Sequence, residues 1–445
     1  MEPIVPPPHH NRRLPLGYEA LCALKPNPKD PRLFNRATRR RIVAMVRRLG
    51  PPPIVVNADR EVLSGNIWLE AAREAGYDEA PVLVAEHLTP AEADIYLLAN
   101  AKFALRGEWD PRLLGEVLRD LSVGEIAFDI ELTGFEPAEI DLAIEGLDDA
   151  APEAADELPP AGPPVTRPGD LWVLGPHRLL CGSALEAASY QRLMAGDAAA
   201  MILTDPPYNV RIAGNVSGLG KVKHGDFTMA SGELTEAGFA DFNLSWMALA
   251  ADRCADGALA YVFMDWRHQH ELIVAGRRVF DRLVNLCVWT KNNGGMGVLY
   301  RSAHELIFVF KKGRGAHQNN VQLGRFGRSR TNVWAYPNIA AERRGMEGDL
   351  LALHPTVKPV AMLADALLDV TRRGDLVLDP FVGSGSTIIA ADKVGRRARA
   401  IELHPPYVDC GIRRWQAWSG EDAVLEGDGR SFTEIAAERT GEGAP

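Results

Sequence analysis

Cysteine is scarce in this 445-residue chain. Cys22, Cys181, Cys254, Cys287 and Cys410 are scattered, with no CxxC pair and no Cys/His cluster at metal-ligand spacing. That pattern excludes a disulfide framework and supports no zinc site, so no metal is expected. Long apolar runs are absent too: no stretch reaches the roughly 18 residues a membrane-spanning helix needs, and the opening MEPIVPPPHHNRRLP has no apolar leader core. The expectation is an untargeted protein of the cytoplasm that contacts no membrane. Positive charge is also short. Lys and Arg number 49 against 59 Asp and Glu, a net charge of -10, which excludes a polycationic binder and confines any nucleic-acid contact to local basic patches. What the chain does have is apolar mass, with 46% hydrophobic residues, 9 Trp, 9 Tyr and 14 Phe. This excludes wholesale disorder, and a length of about three common domains implies more than one core.

Changes of pattern divide the chain. From Glu131 it runs through Asp148, Asp149, Glu153, Asp156 and Glu157 into LPPAGPPVTRPG, where acidic repulsion and prolines oppose packing. Residues 148–168 therefore read as a linker. Before it, Ile42, Met45, Val46 and Leu49 have helical spacing and Gly50-Pro51 stops that helix. PIVVN and EVLSG form a hairpin, NIWLEAAREAG a short helix, and PVLVAE a further strand. The order α-β-β-α-β marks a small domain over residues 1–108, followed by a helical connector over 109–147. After the linker, AAAMILTD, GALAYVFMD, LVNLCVWT, HELIFVFKK, DLVLDP and RARAIEL are strand-length apolar runs with amphipathic helices between several of them, as in VAMLADALLDVTRR. Residues 169–445 are thus expected to be an α/β domain around a mostly parallel sheet.

Two constellations in that domain carry chemistry. Asp205-Pro206-Pro207-Tyr208 directly follows AAAMILT, and ligands of open α/β sheets bind beyond the carboxyl ends of strands. Two prolines there stiffen the backbone. An exocyclic amino group is a poor nucleophile because its lone pair is delocalised into the ring; acceptors at the Asp205 carboxylate and Pro206 carbonyl could hold both N–H bonds and free that lone pair. Tyr208 offers a face for a base. A strand-end turn with a packing tyrosine would look the same in isolation. The second constellation is LVLDPFVGSGSTIIAA, a strand, a turn at Gly383 and Gly385, then a helix, with Glu402 ending the next strand 17 residues on. Such a turn admits a ligand to a helix N-terminus, and an acidic strand end can hold a ribose diol. Ser386-Thr387 stand where a dinucleotide site would place its third glycine, which disfavours NAD.

These segments, with His354-Pro355-Thr356-Val357-Lys358-Pro359 and the Tyr407-Val408 stretch, resemble the amino-group DNA methyltransferases in the motif order of their β class, over about residues 166–420. The resemblance implies a Rossmann-like, S-adenosylmethionine-dependent methyltransferase fold in circularly permuted order, with double-stranded DNA as partner. By resemblance Asp205, Pro206, Pro207 and Tyr208 grip the target base. Asp379, Phe381, Gly383, Gly385 and Ser386 line the methionine part of S-adenosylmethionine, Glu402 binds its ribose, and Thr356 and Lys358 lie beside it. Where the family has Gly-Asp after the domain's first strand, this chain has Leu180-Cys181-Gly182-Ser183. Serine can make one hydrogen bond, so weaker cofactor binding is expected. Asp428 is a conceivable substitute outside the matched order.

Residues 311–344 concentrate positive charge, Arg325, Arg328 and Arg330 among it, around Phe326, Trp334 and Tyr336. Arginines among aromatics suit phosphate contact and base reading, so these three are the expected DNA-binding residues; a solvated basic face is the plain alternative. The loop from Arg211 to Phe227, with four glycines, is a lid or a surface loop. The first domain resembles the ParB N-terminal (ParB/sulfiredoxin-like) α+β domain, but Gly65-Asn66-Ile67-Trp68 replaces its arginine-bearing phosphate box. Nucleotide hydrolysis is therefore not expected there. Arg39, Arg40, Arg41, Arg47 and Arg48 on its first helix could contact phosphate or form a solvated face.

The expected function is methylation of adenine N6 in duplex DNA. Cytosine N4 methylation stays open, although by family resemblance Asp at position 205 favours adenine and Ser is commoner for cytosine. Carbon-5 methylation is excluded because no cysteine follows a proline. A protein-glutamine methyltransferase would normally carry Asn before the proline pair. A non-catalytic DNA-binding adaptor is the different-class alternative, disfavoured by the intact motifs. Monomer and homodimer are both compatible with the sequence.

Overall fold

The computed structural model describes residues 14–104, 106–123, 130–146, 154–156, 159, 162–210, 232–292, 294, 299–325, 327–337 and 357–441. The chain divides into two compact units, Met1–Leu147 and Asp148–Pro445.

The first unit runs β1 (Leu16–Ala20), α1 (Arg36–Leu49), β2 (Ile54–Val56), β3 (Val62–Ser64), α2 (Asn66–Ala75), β4 (Glu79–Val84), α3 (Pro90–Ala104), α4 (Pro111–Val123) and α5 (Pro137–Glu145). Its sheet order is β1-β4-β2-β3, with β4 antiparallel to β1 and parallel to β2. The expected α-β-β-α-β order is present behind a strand the sequence hid, since the residues of β1 are mostly exposed and carry no apolar alternation. On α1, Val43 and Val46 are buried and Ile42 and Met45 pack against the same core, while Leu49, expected on that face, is 65% exposed. Asn35 caps this helix by accepting from the Thr38 N–H at 2.8 Å. Three of its arginines are held within the chain: Arg39 pairs with Glu70, Arg41 with Glu131 and Glu136, and Arg47 donates to the Glu74 carbonyl. At the altered box, Asn66 accepts from the Asn27 N–H at 3.0 Å and donates to the Asn27 carbonyl at 2.9 Å. Ile67 is buried and Trp68 packs on the sheet core. The residues of 109–147 fall in this unit, where α4 and α5 close around Leu118, Ile140 and Ile144.

The second unit runs β5 (Leu171–Leu174), β6 (His177–Cys181), α6 (Ala187–Met194), β7 (Ala199–Thr204), α7 (Glu236–Ala251), β8 (Cys254–Met264), α8 (Gln269–Val279), β9 (Arg282–Thr290), β10 (His304–Lys311), β11 (Val333–Ala335), α9 (Val360–Val370), β12 (Leu376–Asp379), α10 (Ser386–Lys393), β13 (Arg397–Glu402), α11 (Pro405–Ser419), β14 (Val424–Leu425) and α12 (Phe432–Thr440). Ten strands form one sheet, ordered β11-β9-β10-β8-β7-β12-β13-β6-β5-β14. The five from β8 to β6 are mutually parallel, and β10 is antiparallel to both its neighbours. Each face of the sheet has its own core. Met201 and Leu203 of β7 point toward α9, α10 and α11, whereas Ile202 joins α6, α7 and α8, the alternation that a strand covered on both faces requires.

Part of the expected linker belongs to this unit. Ala155 is buried in its core, Asp156 accepts from the first N–H of α9 at Val360, and the Val165 and Thr166 N–H groups donate to Asp409 on α11. Proline and acid content signalled a spacer; backbone hydrogen bonds to two helices override it. Among the described residues, no helix is long and apolar enough to cross a membrane.

Candidate active site

Four adjacent parallel strands, β7, β12, β13 and β6, end along one edge of the sheet. The residues at and just beyond their ends, Asp205 to Tyr208, Asp379 to Ser384, Glu402 to His404 and Gly182, surround a cavity of about 1030 Å³ that includes its open mouth. Val357, Lys358 and Leu363 from the start of α9 and Tyr407 from α11 complete the wall. Strands separated by up to about 200 residues thus deliver both constellations to one place, the geometry expected of an open α/β sheet.

The glycine turn is held by its acids. Asp379 accepts from Thr204 and Thr387 hydroxyls, both at 2.6 Å, and from the Phe381 N–H at 3.0 Å. Burial pushes its carboxyl up to about 6, against the pull of those hydroxyls. Its oxygens are committed to the loop, which makes Asp379 a brace for the turn. Gly383 (φ 57) and Gly385 (φ 88) both occupy the left-handed region. Gly383 lines the cavity, but Gly385 does not: a Cβ there would stand 2.9 Å from the Gly411 Cα of α11. Gly385 therefore serves helix packing and not ligand approach, which corrects its expected role. Ser386 lines the cavity while its hydroxyl takes a 3.1 Å bond from Arg414. Phe381 meets Trp246 edge to face at 5.4 Å. Glu402 accepts from the Gly383 N–H at 3.0 Å and the His404 N–H at 2.8 Å; burial raises its carboxyl to about 7 despite these donors. With two oxygens and about four acceptor positions, the carboxylate keeps capacity for a further donor.

Asp205, Tyr208 and Lys358 in the cavity wall belong to a charge cluster that extends behind it. Asp205 accepts from the Tyr208 hydroxyl and from the Lys358 ammonium. Lys358, 5% exposed, also pairs with Glu305 at 3.2 Å, and Glu305 pairs with Lys291 at 2.5 Å. Burial raises the Asp205 carboxyl, with Lys358 opposing and Glu305 reinforcing the rise. Glu305 is buried as well, yet Lys358 and Lys291 together hold it at about 2. Lys358 was expected beside the cofactor; although it lines the cavity, its ammonium is bound to the Asp205 carboxylate. Glu305 and Lys291 are site residues the sequence did not single out. Their signal was available: a glutamate opening the apolar strand HELIFVF and a lysine ending CVWTK are charges at strand ends on the functional edge.

Expected positions outside this cavity fare differently. Arg328 is 7% exposed and bonds to Asp365 and Asp369 of α9, and Arg330 pairs with the same two aspartates while lying 5.3 Å from the Trp334 ring centroid. Their guanidinium groups anchor the segment to α9, so phosphate contact gives way to a structural role. Arg325 is exposed. Thr356 and His354, and the loop from Arg211 to Phe227, lie outside the described residues. The Ser183 hydroxyl accepts from the Leu185 N–H, and Asp428 is paired with Arg430 away from the cavity lining, so it does not replace the missing acid.

Residues 199–413 match a family described as DNA methylase, and residues 112–168 match a ParB-methyltransferase HTH domain. The latter spans the stretch expected to be connector and linker. Type II methyltransferase M2.DpnII of Streptococcus pneumoniae is 26% identical over 228 residues, covering 49% of this chain and 82% of its own. Type II methyltransferase M2.MboI of Moraxella bovis is 26% identical over 228 residues, covering 48% and 80%. Among solved structures, the M1.HpyAVI–SAM complex is 18% identical with a TM-score of 0.37, covering 53% of this chain and 98% of that one.

Proposed function

We propose, from the match of residues 199–413 to a DNA methylase family, that the protein transfers a methyl group from S-adenosylmethionine to the N6 amino group of adenine in duplex DNA. The observation that carries this is the opening of Asp205-Pro206-Pro207-Tyr208 into the same cavity as the Gly383 turn and Glu402.

The residues present fit the cofactor. Glu402 has unused lone pairs for a diol, Gly383 leaves the turn without a side chain, and Phe381, Val357 and Leu363 give apolar wall. Glu402, Gly383 and Phe381 would hold it, with Lys358 serving the base side instead. When bound, S-adenosylmethionine supplies an electrophilic methyl on a sulfonium. The protein must then supply a nucleophilic nitrogen. The Asp205 carboxylate and Pro206 carbonyl accept the two amino N–H bonds, which opposes delocalisation of the nitrogen lone pair into the ring. Tyr208 keeps Asp205 oriented through its hydroxyl. Asp379, locked by Thr204 and Thr387, ties the end of β7 to the glycine turn, so base and donor sites stay in register. Double-stranded DNA is the partner, approached along the carboxyl edge of the sheet.

The test is transfer of labelled methyl from S-adenosylmethionine to unmethylated genomic DNA, followed by nucleoside digestion. Label in N6-methyl-2′-deoxyadenosine is expected, and Asp205→Ala should lose on the order of 100-fold or more in rate while still binding the cofactor. Label in N4-methyl-2′-deoxycytidine would overturn the base assignment, and near-normal turnover by Asp205→Ala would overturn the mechanism.

A further inference from the structure

The Asp205 carboxylate stands in a buried network whose charges balance two to two. Lys358 bridges Asp205 and Glu305, and Lys291 closes the far side of Glu305. The Tyr208 hydroxyl reaches Glu305 at 3.2 Å as well as Asp205. Three rings box the Lys358 ammonium, with centroids at 5.2 Å for Phe263, 5.7 Å for Tyr208 and 5.9 Å for Trp289. The components come from separate elements: Asp205 follows β7, Lys291 follows β9, Glu305 lies on β10 and Lys358 precedes α9. Glu305 and Trp289 face each other across the β9/β10 ladder, so sheet register itself sets the cage.

We propose that Glu305 and Lys291 are positioning residues for methyl transfer: the Lys358 ammonium keeps the Asp205 carboxylate charged and directed into the cavity, and Glu305, itself held by Lys291, shares that ammonium and so sets how strongly it acts on Asp205. The role of Asp205 in this rests on the amino-methylation reading above. Only a charged carboxylate accepts at both oxygens; protonated, Asp205 would present an O–H to the amino group it must hold.

The alternatives to the network are each unfavourable. Without Lys358, Asp205 and Glu305 become two carboxylates bridged by one tyrosine hydroxyl, and like charges at such range force one to take a proton. Glu305 retains Lys291, so the proton goes to Asp205. Without Glu305, two ammonium groups lose the carboxylate that separates them, and Lys358 has Asp205 as its remaining carboxylate partner. The two losses should then move the titration of Asp205 in opposite directions. Among the described residues, the charged or titratable groups around Asp205 are Tyr208, Lys358, Glu305 and Asp379, and of these Asp379 is itself raised by burial and by Asp205.

The test uses the full chain labelled with carboxyl-13C aspartate, the Asp205 resonance being assigned by Asp205→Asn. Lys358→Met should raise its midpoint by about one unit or more, Glu305→Gln should lower it, and Lys358→Arg should restore it. Methyl transfer to genomic DNA across the same pH range should follow: the acid limb of kcat moves up in Lys358→Met and down in Glu305→Gln, with KM for S-adenosylmethionine unchanged in Glu305→Gln. Lys291→Met should raise the Asp205 midpoint and move the acid limb of kcat up, because Glu305 then draws harder on the Lys358 ammonium. An Asp205 midpoint that stays put in both Lys358→Met and Glu305→Gln overturns the proposal, as does equal loss of rate at every pH. Absence of DNA methylation by the wild type, with the midpoints moving as stated, overturns the amino-methylation reading and leaves the network's hold on Asp205 established.

Discussion

Gly385→Ala separates helix packing from ligand approach at the glycine turn. Two costs follow from the geometry. A side chain at φ 88 sits in the left-handed region, about 1–2 kcal/mol. Its Cβ would also stand 2.9 Å from the Gly411 Cα, where ordinary contacts begin at 3.4 Å, so α10 and α11 must part by about 0.5 Å, an overpacking strain of about 1–3 kcal/mol. The sum is about 2–5 kcal/mol, a large share of a domain's usual stability. Gly411→Ala is the control: its Cβ meets Gly385 Cα at 3.5 Å with no positive φ, and alanine favours the helix by about 1 kcal/mol, so neutral or raised stability is expected. Guanidinium unfolding followed by tryptophan fluorescence reads this directly, because Trp172, Trp246, Trp289 and Trp415 are all buried in the second unit. Calorimetric titration with S-adenosylmethionine is run beside it. If Gly385→Ala unfolds at the wild-type midpoint yet binds no cofactor, the glycine serves the ligand and the packing account is wrong.

Cofactor affinity should depend on pH through Glu402. Burial holds its carboxyl at about 7 and only the charged form accepts from two hydroxyls, so affinity should fall about tenfold per unit below that pH and level off above it. Glu402→Gln should bind weakly with this dependence abolished; calorimetry across the range checks it, and a flat wild-type profile would refute it. Arg328→Ala should destabilise the second unit by about 3 kcal/mol by leaving Asp369 short of a partner, while the salt slope of DNA binding stays unchanged. A slope lowered by about 0.9 in a stably folded variant would return Arg328 to phosphate contact. The full chain should hydrolyse neither CTP nor ATP with magnesium, since Asn66 is engaged with Asn27 and Ile67 is buried; phosphate release above background would mean the altered box is functional.

Local pattern alone determined much here. Each apolar run in 169–445 named from its residues became a strand, because β-branched and aromatic stretches bounded by helices have few other ways to bury both faces. Asp205-Pro206-Pro207-Tyr208 and the Gly383 turn were legible because their chemistry resides in consecutive residues. The missed strand β1 shows the converse, since an edge strand with exposed side chains leaves no periodic trace.

Tertiary structure alone decided what depends on partners far along the chain. Arg328 and Arg330 read as DNA ligands by composition, but Asp365 and Asp369 on α9 claim them; the sequence shows charges without saying which will meet. Gly385 could be assigned to packing only once Gly411, 26 residues on, was seen against it. Ala155 and Asp156, in a stretch that composition marks as spacer, dock because α9 and α11 offer an unsatisfied N–H and an arginine. Glu305 and Lys291 joined Asp205 through the pairing of β8, β10 and β9. Strand-end charges gain meaning from the order of strands in the sheet, and that order is a property of the folded chain, set by which apolar faces bury each other best.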